Sequence, residues 1–523
     1  MSAAPERAVA LDELRRRGAE VASLSLRECF AADPSRATNL TFDAAGLHLD
    51  LSKQLVRSAD LEALLHLASA SGLETQRDAL LAGEVVNESE GRAALHVRER
   101  AQGARGLDPL RRFVEALRKG DVLGATNQPL RVVVNLGIGG SDLGPRMAHA
   151  ALANADDGTI EVRFASSLDP SGLAAVLEGL SAEHVLFVAA TKSFSTLETG
   201  VLAHRAVEWL RSELGNDADV TRHLAAVTAR ADLAQRAGIA PERTFTIDEG
   251  IGGRFSLSSA MGLSLMAAIG TRNFDELLAG FEDLDLHFAT APLEMNLPVL
   301  HGLIGFWNRS ILGFGAQAVV PYSWDLRLLP EHLQQLVMES NGKSVDRAGQ
   351  PIALSTSPVL FGAPGTEAQH SFFQLLHQGT DRVPVDLIGV ARGPEGPQDR
   401  MMANLLAQAQ ALAFGESAEE LEAAGIAHHL AAVKAMPGNR PSTFLGLVEL
   451  SPRSLGALVA LYEHSVFVQA VLWDLNPFDQ FGVELSKVLA GPLAEQLHAG
   501  VNPEVSLDGS TSALIEWFRA AQS

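Results

Sequence analysis

A single cysteine in 523 residues, Cys29, excludes an internal disulfide. Metal-ligand spacings are missing as well: there is no His-Glu-x-x-His and no cysteine pair, and His428-His429 reads as a chance pair on a helix surface. No metal and no cofactor is therefore expected. No run of the roughly 18 apolar residues that a bilayer span requires stands out; the nearest approach is the glycine-broken stretch around Gly262 to Gly270. Met1 to Ala10 lacks the apolar core of a signal peptide, so the expected compartment is the cytoplasm. Basic residues are scarce, 41 against 63 acidic, and the net charge of -22 argues against nucleic-acid and anionic-membrane partners. A small anion remains admissible where basic side chains converge on one pocket. Low-complexity tracts are absent too, and a globular chain of this length exceeds one core, giving two large or about three smaller units.

What is present is organised around Val132-Val133-Val134-Asn135-Leu136-Gly137-Ile138-Gly139-Gly140-Ser141-Asp142-Leu143-Gly144. The β-branched run reads as a buried strand, and the glycines let the backbone turn and approach a ligand closely. Pro145-Arg146-Met147-Ala148 opens a helix whose N-terminus would face that ligand, a geometry that suits phosphate or carboxylate. Two familiar glycine loops are excluded. The dinucleotide fingerprint needs a glycine where Asp142 stands, or where Ser141 stands if counted from Gly139. No Gly-Lys-Ser or Gly-Lys-Thr closes a Walker loop. A glycine-rich crossover without a ligand fits this spacing equally well.

The first hundred residues read as helical, and Asn87 to His96 as a polar, capped surface helix. A glycine-rich link, Gly103-Ala104-Arg105-Gly106, and a further helix follow. Strands at Glu161–Ala165, Val185–Ala190 and Leu224–Thr228 then alternate with helical segments, the pattern of a parallel sheet whose ligands bind at the carboxyl strand ends. The strand ending at Ala190 runs into Thr191-Lys192-Ser193-Phe194-Ser195-Thr196, either a second anion cradle or a hydroxyl-rich helix cap. On Gly250 to Ser256, Arg254 is placed by a double-glycine turn to brace a developing oxyanion, or simply caps its own loop.

A second alternating region starts near Leu300. Ala318 to Tyr322 ends a strand, and Leu328 to Met338 reads as a helix stopped by Asn341-Gly342. Glu339 then sits against the helix dipole, which makes it a candidate base as well as an ordinary solvated glutamate. Gly365 to His370 opens a helix with a Thr-x-x-Gln capping box, and His370, Gln374 and His377 share one face of it. Val383 to Ala391 is a strand and Arg392 to Pro397 an exposed loop. Asn476-Pro477 reads as an N-cap, with Gln480, Glu484 and Lys487 along the following helix, where Glu484 and Lys487 can also be a surface ion pair.

Taken in order, these blocks resemble the glucose-6-phosphate isomerase (phosphoglucose isomerase) family. The resemblance rests on Gly137–Pro145, Thr191–Thr199, Gly252–Leu257, Met338–Lys343, Pro364–His370, His377–Thr380 and Phe478–Lys487, and Asn87–His96 is similar to the family's N-terminal signature. It implies an α/β fold of two sugar-isomerase-type (SIS) domains, each a mainly parallel sheet flanked by helices. The expected segments are an N-terminal helical part (1–105) packed on the larger domain, a first SIS domain (106–285), a second, larger SIS domain (286–475) and a C-terminal arm (476–523). It implies a sugar-phosphate substrate and a homodimer in which His370 reaches the neighbouring subunit's site. By the same resemblance Gly140, Ser141, Thr191, Lys192, Ser193 and Thr196 hold the phosphate, while Gln335 and Gln480 flank the sugar. His370 with Lys487 would open the ring, Glu339 would move a proton between C2 and C1 through a cis-enediol, and Arg254 would stabilise its charge.

Departures from the family pattern fall beside these residues: Ser258 where a tryptophan is usual, Thr191 for serine, Glu367 for asparagine, Pro477 for serine and Phe481 for tryptophan. Trp324 to Leu333 matches poorly. They bear on ring specificity, including glucose against mannose phosphates, more than on reaction type. A non-catalytic sugar-phosphate sensor would keep the cradle without needing Glu339, His370, Arg254 and Lys487 together.

Overall fold

The computed structural model describes residues 4–21, 23–101, 105–497 and 507–522. Two compact units result, Met1–Pro477 and Phe478–Ser523.

The first unit is built on two sheets. A five-stranded, wholly parallel sheet runs in the order β4-β3-β5-β6-β7, where β3 is Val132–Leu136, β4 Glu161–Ala165, β5 Val185–Ala190, β6 Leu224–Thr228 and β7 Thr244–Thr246. Every residue of β3 and β5 is buried, as predominantly apolar runs in a parallel sheet should be. The seven-stranded sheet runs β1-β2-β12-β10-β8-β9, with β11 on the edge of β10. Here β1 is Thr41–Ala44, β2 Leu47–Asp50, β8 Ala316–Tyr322, β9 Val359–Gly362, β10 Val385–Gly393, β11 Gly396–Pro397 and β12 Ser442–Glu449. Strands β12, β10, β8 and β9 are parallel, whereas the β1–β2 hairpin and β11 pair antiparallel. The expectation of mainly parallel sheets flanked by helices holds.

Several expectations are corrected. The first hundred residues are not all helical: Ala45 and Gly46, both at positive φ, turn the chain into a hairpin that extends the larger sheet. Asn87 to His96 is no surface helix. Asn87 bridges back to Arg92 around the short turn Glu88–Glu90, and the helix begins only at buried His96. Of the glycine-rich link, Gly103 and Ala104 lie outside the described residues, and Arg105–Leu107 forms a 3-10 turn. Arg392 to Pro397 is a tight β10–β11 hairpin, not a free loop.

The most apolar long segment is Pro452–Trp473, not the stretch before Gly270. This helix is long and apolar enough to cross a membrane, yet it is buried from Leu455 to Trp473, packed against helices Leu263–Thr290 and Leu297–Phe306. Apolar side chains on every face are what a central helix requires.

In the second unit a 3-10 turn, Phe481–Val483, precedes helices Leu485–Leu497 and Gly509–Gln522. Asn476-Pro477 therefore does not cap a helix bearing Gln480 and Glu484, since the helix starts after both. Residues 498–506 of the expected arm lie outside the described residues.

Candidate functional site

The register of the smaller sheet sets the site. Leu136 of β3 lies opposite Ala189 of β5, so the glycine turn after one and the hydroxyl-rich turn after the other emerge side by side at the carboxyl edge. Buried Asn135, the one polar residue of its strand, shapes the first turn: its Nδ2 donates to the Ser141 carbonyl at 3.0 Å and its Oδ1 accepts from Ser264 Oγ at 2.9 Å. After a 3-10 turn at Gly139–Ser141, helix Leu143–Ala151 starts with its N-terminus at this edge. In the second turn, Thr191 and Thr196 hydroxyls meet at 3.1 Å. The Lys192 carbonyl is pinned by Ala229 N and Thr228 Oγ1, and Phe194, at φ 52°, packs onto Ala226 and Ile239. Lys192 is half-buried, and burial followed by the charge of Arg92 lowers its ammonium below the usual lysine range.

Two further turns close on the first. A Cβ on Gly140 would stand 2.1 Å from the Gly253 carbonyl, so the chains touch there only because Gly140 has no side chain. Next to Gly253 comes Arg254, whose side chain is 1% exposed. Its Nε donates to Ser340 Oγ at 2.7 Å, one terminal nitrogen to Glu339 Oε2 at 3.1 Å and the other to the Pro477 carbonyl. Gln335 reaches the first turn, its amide nitrogen 3.1 Å from where a Cβ on Gly139 would lie.

Glu339 and Gln335 are the two ends of a π-helical turn, Gln335–Glu339, that follows the short helix Leu329–Gln334. The expected regular helix over 328–338 is thus wound wider just where two candidate residues must point at one place, a common device at functional sites. Burial raises the Asp142 carboxyl despite Arg146, which bridges Asp142 and Glu331 at 3.0 Å each and so ties the helix after the glycine turn to the Glu339 segment.

The N-terminal block supports this assembly. Asn476 Nδ2 donates to Asn87 Oδ1 at 2.8 Å and to Ser89 Oγ at 2.7 Å, while Lys343 donates to the Asn476 carbonyl. His96 stacks on Phe255, ring centroids 4.6 Å apart, and burial pushes its imidazole well below the ordinary histidine value. Arg100 bonds Asp285 and Glu463 in the core behind it. Asn135, Ser340 and His96 are supports to which reading the sequence gave no role, although each lies inside a stretch it singled out.

The other expected residues are not gathered this way. His370 is exposed and ends helix Gly365–Gln369, and a separate helix, Phe373–Gln378, carries Gln374 and His377. The single helical face proposed for the three is thus broken, and its start is Pro364 rather than a Thr-x-x-Gln box. His377 instead bonds Gln408 at 2.8 Å. Among the described residues the His370 ring has no hydrogen bond or ion pair. Gln480 and exposed Lys487 belong to the second unit.

A carboxylate held by a buried arginine, beside a glycine turn and a hydroxyl-rich turn at the carboxyl edge of a parallel sheet, marks the candidate site of this α/β protein. The phosphoglucose isomerase sequence profile matches residues 50–515, and the chain belongs to that family. Glucose-6-phosphate isomerase of Deinococcus deserti is 46% identical over 99% of both chains. That of Anaeromyxobacter dehalogenans is 48% identical over 96% of this chain and 95% of its own. The crystal structure of a glucose-6-phosphate isomerase from Chlamydia trachomatis superposes with a TM-score of 0.84 at 30% identity, covering 98% of each chain.

Proposed function

We propose that the chain interconverts glucose-6-phosphate and fructose-6-phosphate through a cis-enediol, without metal or cofactor, in the glycolytic and gluconeogenic direction alike. The carrying observation is the Arg254–Glu339 pair locked against the Gly139–Gly140 turn. In this reading Gly140, Ser141, Thr191, Lys192, Ser193 and Thr196 hold the phosphate, so that binding energy at the remote end orients the reacting carbons. His370 and Lys487 open the ring: the ring oxygen gains a proton as the C1 hydroxyl loses one. Glu339 takes the proton from C2 and returns it to C1, Arg254 stabilises the enediolate oxygen, and Gln335 and Gln480 hold sugar hydroxyls.

The active form would be a cytoplasmic homodimer, with His370 serving the neighbouring subunit. Two features support this: His370 is exposed and unbonded among the described residues, and the Phe478–Ser523 unit leaves Leu485, Val488, Leu489, Leu514 and Trp517 more than half exposed. The same reading divides the chain at about 105, 285 and 475. It is supported by the confinement of the smaller sheet to 132–246 and by the hairpin that 41–50 adds to the larger one.

The deciding experiment is fructose-6-phosphate turnover by wild type and Glu339→Gln in a coupled glucose-6-phosphate assay, with ligand binding followed in parallel. The expected result is a loss of several orders of magnitude in kcat with binding retained. Wild type that binds but does not turn over would leave a sensor instead.

A further inference from the structure

Helix Leu197–Leu214 leaves the hydroxyl-rich turn and lies over the smaller sheet, against β3 and β5. It does not fill the space beneath it. A cavity of about 410 Å3 remains, within the roughly 300–1,000 Å3 typical of small-molecule pockets.

The floor is one face of the sheet. Phe187 and Ala189 of β5 are two residues apart and so point the same way, and the parallel register sets Leu136 beside Ala189 and Leu224 beside Phe187. The roof is a helical row at four-residue spacing, Thr199, Ala203 and Val207. Seating of the helix falls to the adjoining row, Leu202, Ala206 and Leu210, buried in one core with Val185 and Phe187. With only a methyl at Ala203, the overhanging row leaves the gap open. None of Gly140, Ser141, Lys192, Arg254 and Glu339 lines it, so this space is not the candidate site approached from behind.

The polar groups define what fits. Three hydroxyls line the cavity, and those of Thr191 and Thr196 bond each other at 3.1 Å. Thr199 differs: it is 2% exposed, and its Oγ1 is buried without a hydrogen-bond partner. A buried hydroxyl left unpaired is destabilising, so this one marks where a polar atom of a ligand belongs. Water serves poorly, because an internal water engages roughly two to four polar partners and the side chains of the sheet floor offer only carbon. A charged ligand is not called for. The lining side chains that can carry charge, His204 and Arg211, are both exposed, and His204 pairs with Glu208 at 3.3 Å.

We propose that this cavity binds a small neutral molecule with an apolar body and one hydroxyl. The body lies between the sheet floor and the helix, and the hydroxyl exchanges a hydrogen bond with Thr199. The assignment stands whether or not the isomerase reading does.

The probe is 2-naphthol, compared with naphthalene, which lacks the hydroxyl, by equilibrium dialysis against the full-length protein. One 2-naphthol binds per chain, at least as tightly as naphthalene, whereas an apolar space without a hydrogen bond to offer prefers the hydrocarbon. Thr199→Val, which keeps the shape and removes the hydroxyl, weakens 2-naphthol about tenfold and leaves naphthalene unchanged or tighter. Ala203→Phe fills the gap and abolishes binding of both. Near-UV circular dichroism checks that the variants are folded; if either is not, the wild-type comparison of the two probes and the remaining variant decide. The proposal is overturned by no binding to wild type, by wild type preferring naphthalene, or by an equal effect of Thr199→Val on both probes. Binding retained in folded Ala203→Phe overturns it too.

Discussion

Arg254 and Gly140 carry the tightest demands in the site, for opposite reasons. The arginine uses its planar fork on three acceptors at once, Ser340, Glu339 and the Pro477 carbonyl, a set that lysine's single ammonium cannot reproduce. Arg254→Lys is expected to keep the charge yet lose roughly 10²–10³ in kcat, measured by fructose-6-phosphate turnover at saturation. Gly140 must lack a Cβ altogether, because one would meet the Gly253 carbonyl at 2.1 Å. Gly140→Ala should push the two turns apart, cost about 1–3 kcal/mol in urea unfolding and weaken phosphate binding sharply. Both residues were readable from the sequence because their motifs are local. The partners that fix them were not: Ser340 and Pro477 lie 86 and 223 residues from Arg254.

At the scale of the element, the short helix Leu329–Gln334 and its π turn decide where Glu339 points. His332 on that helix is buried against Gly144, 3.7 Å from where a Cβ there would be, and neither ring nitrogen has a partner. Burial alone pushes its imidazole down to about 4. The histidine thus stays neutral in the folded chain while the unfolded chain takes up a proton below 6.5. Its contribution is complete above 6.5 and is lost as the pH falls towards about 4, up to about 3 kcal/mol. His332→Leu should flatten that limb of stability against pH, as followed by urea denaturation at stepped pH. Helical periodicity found this element but missed both its π turn and the break after Gln369, because a pattern of side chains carries no record of which backbone bonds are exchanged for packing.

For the whole molecule, the notable asymmetry is between a first unit whose longest apolar helix, Pro452–Trp473, is buried from Leu455 onward and a second whose apolar side chains stand open. Leu514 is 62% and Trp517 67% exposed, out of proportion for a surface meant only for water. In the proposed homodimer, Leu514→Asp with Trp517→Asp is expected to raise the dissociation constant at least a hundredfold in sedimentation equilibrium. Activity should fall with it at low protein concentration if His370 serves the partner. Unchanged association would place the interface elsewhere.

The sequence by itself marked four of the five parallel strands of the smaller sheet, the glycine-rich and hydroxyl-rich turns that follow β3 and β5, and Arg254 and Glu339 as candidates. Each of these is a property of a few neighbouring residues: a buried run, a glycine that permits a turn, a charge in an odd place. Tertiary structure alone decided that residues 41–50 join the larger sheet, that Asn87 and Asn476 brace each other across the site, and that an unfilled space lies beneath helix Leu197–Leu214. These depend on contacts between residues hundreds of positions apart and on volumes left between elements. Neither quantity is written in the local pattern; both follow only once the helices and sheets have packed.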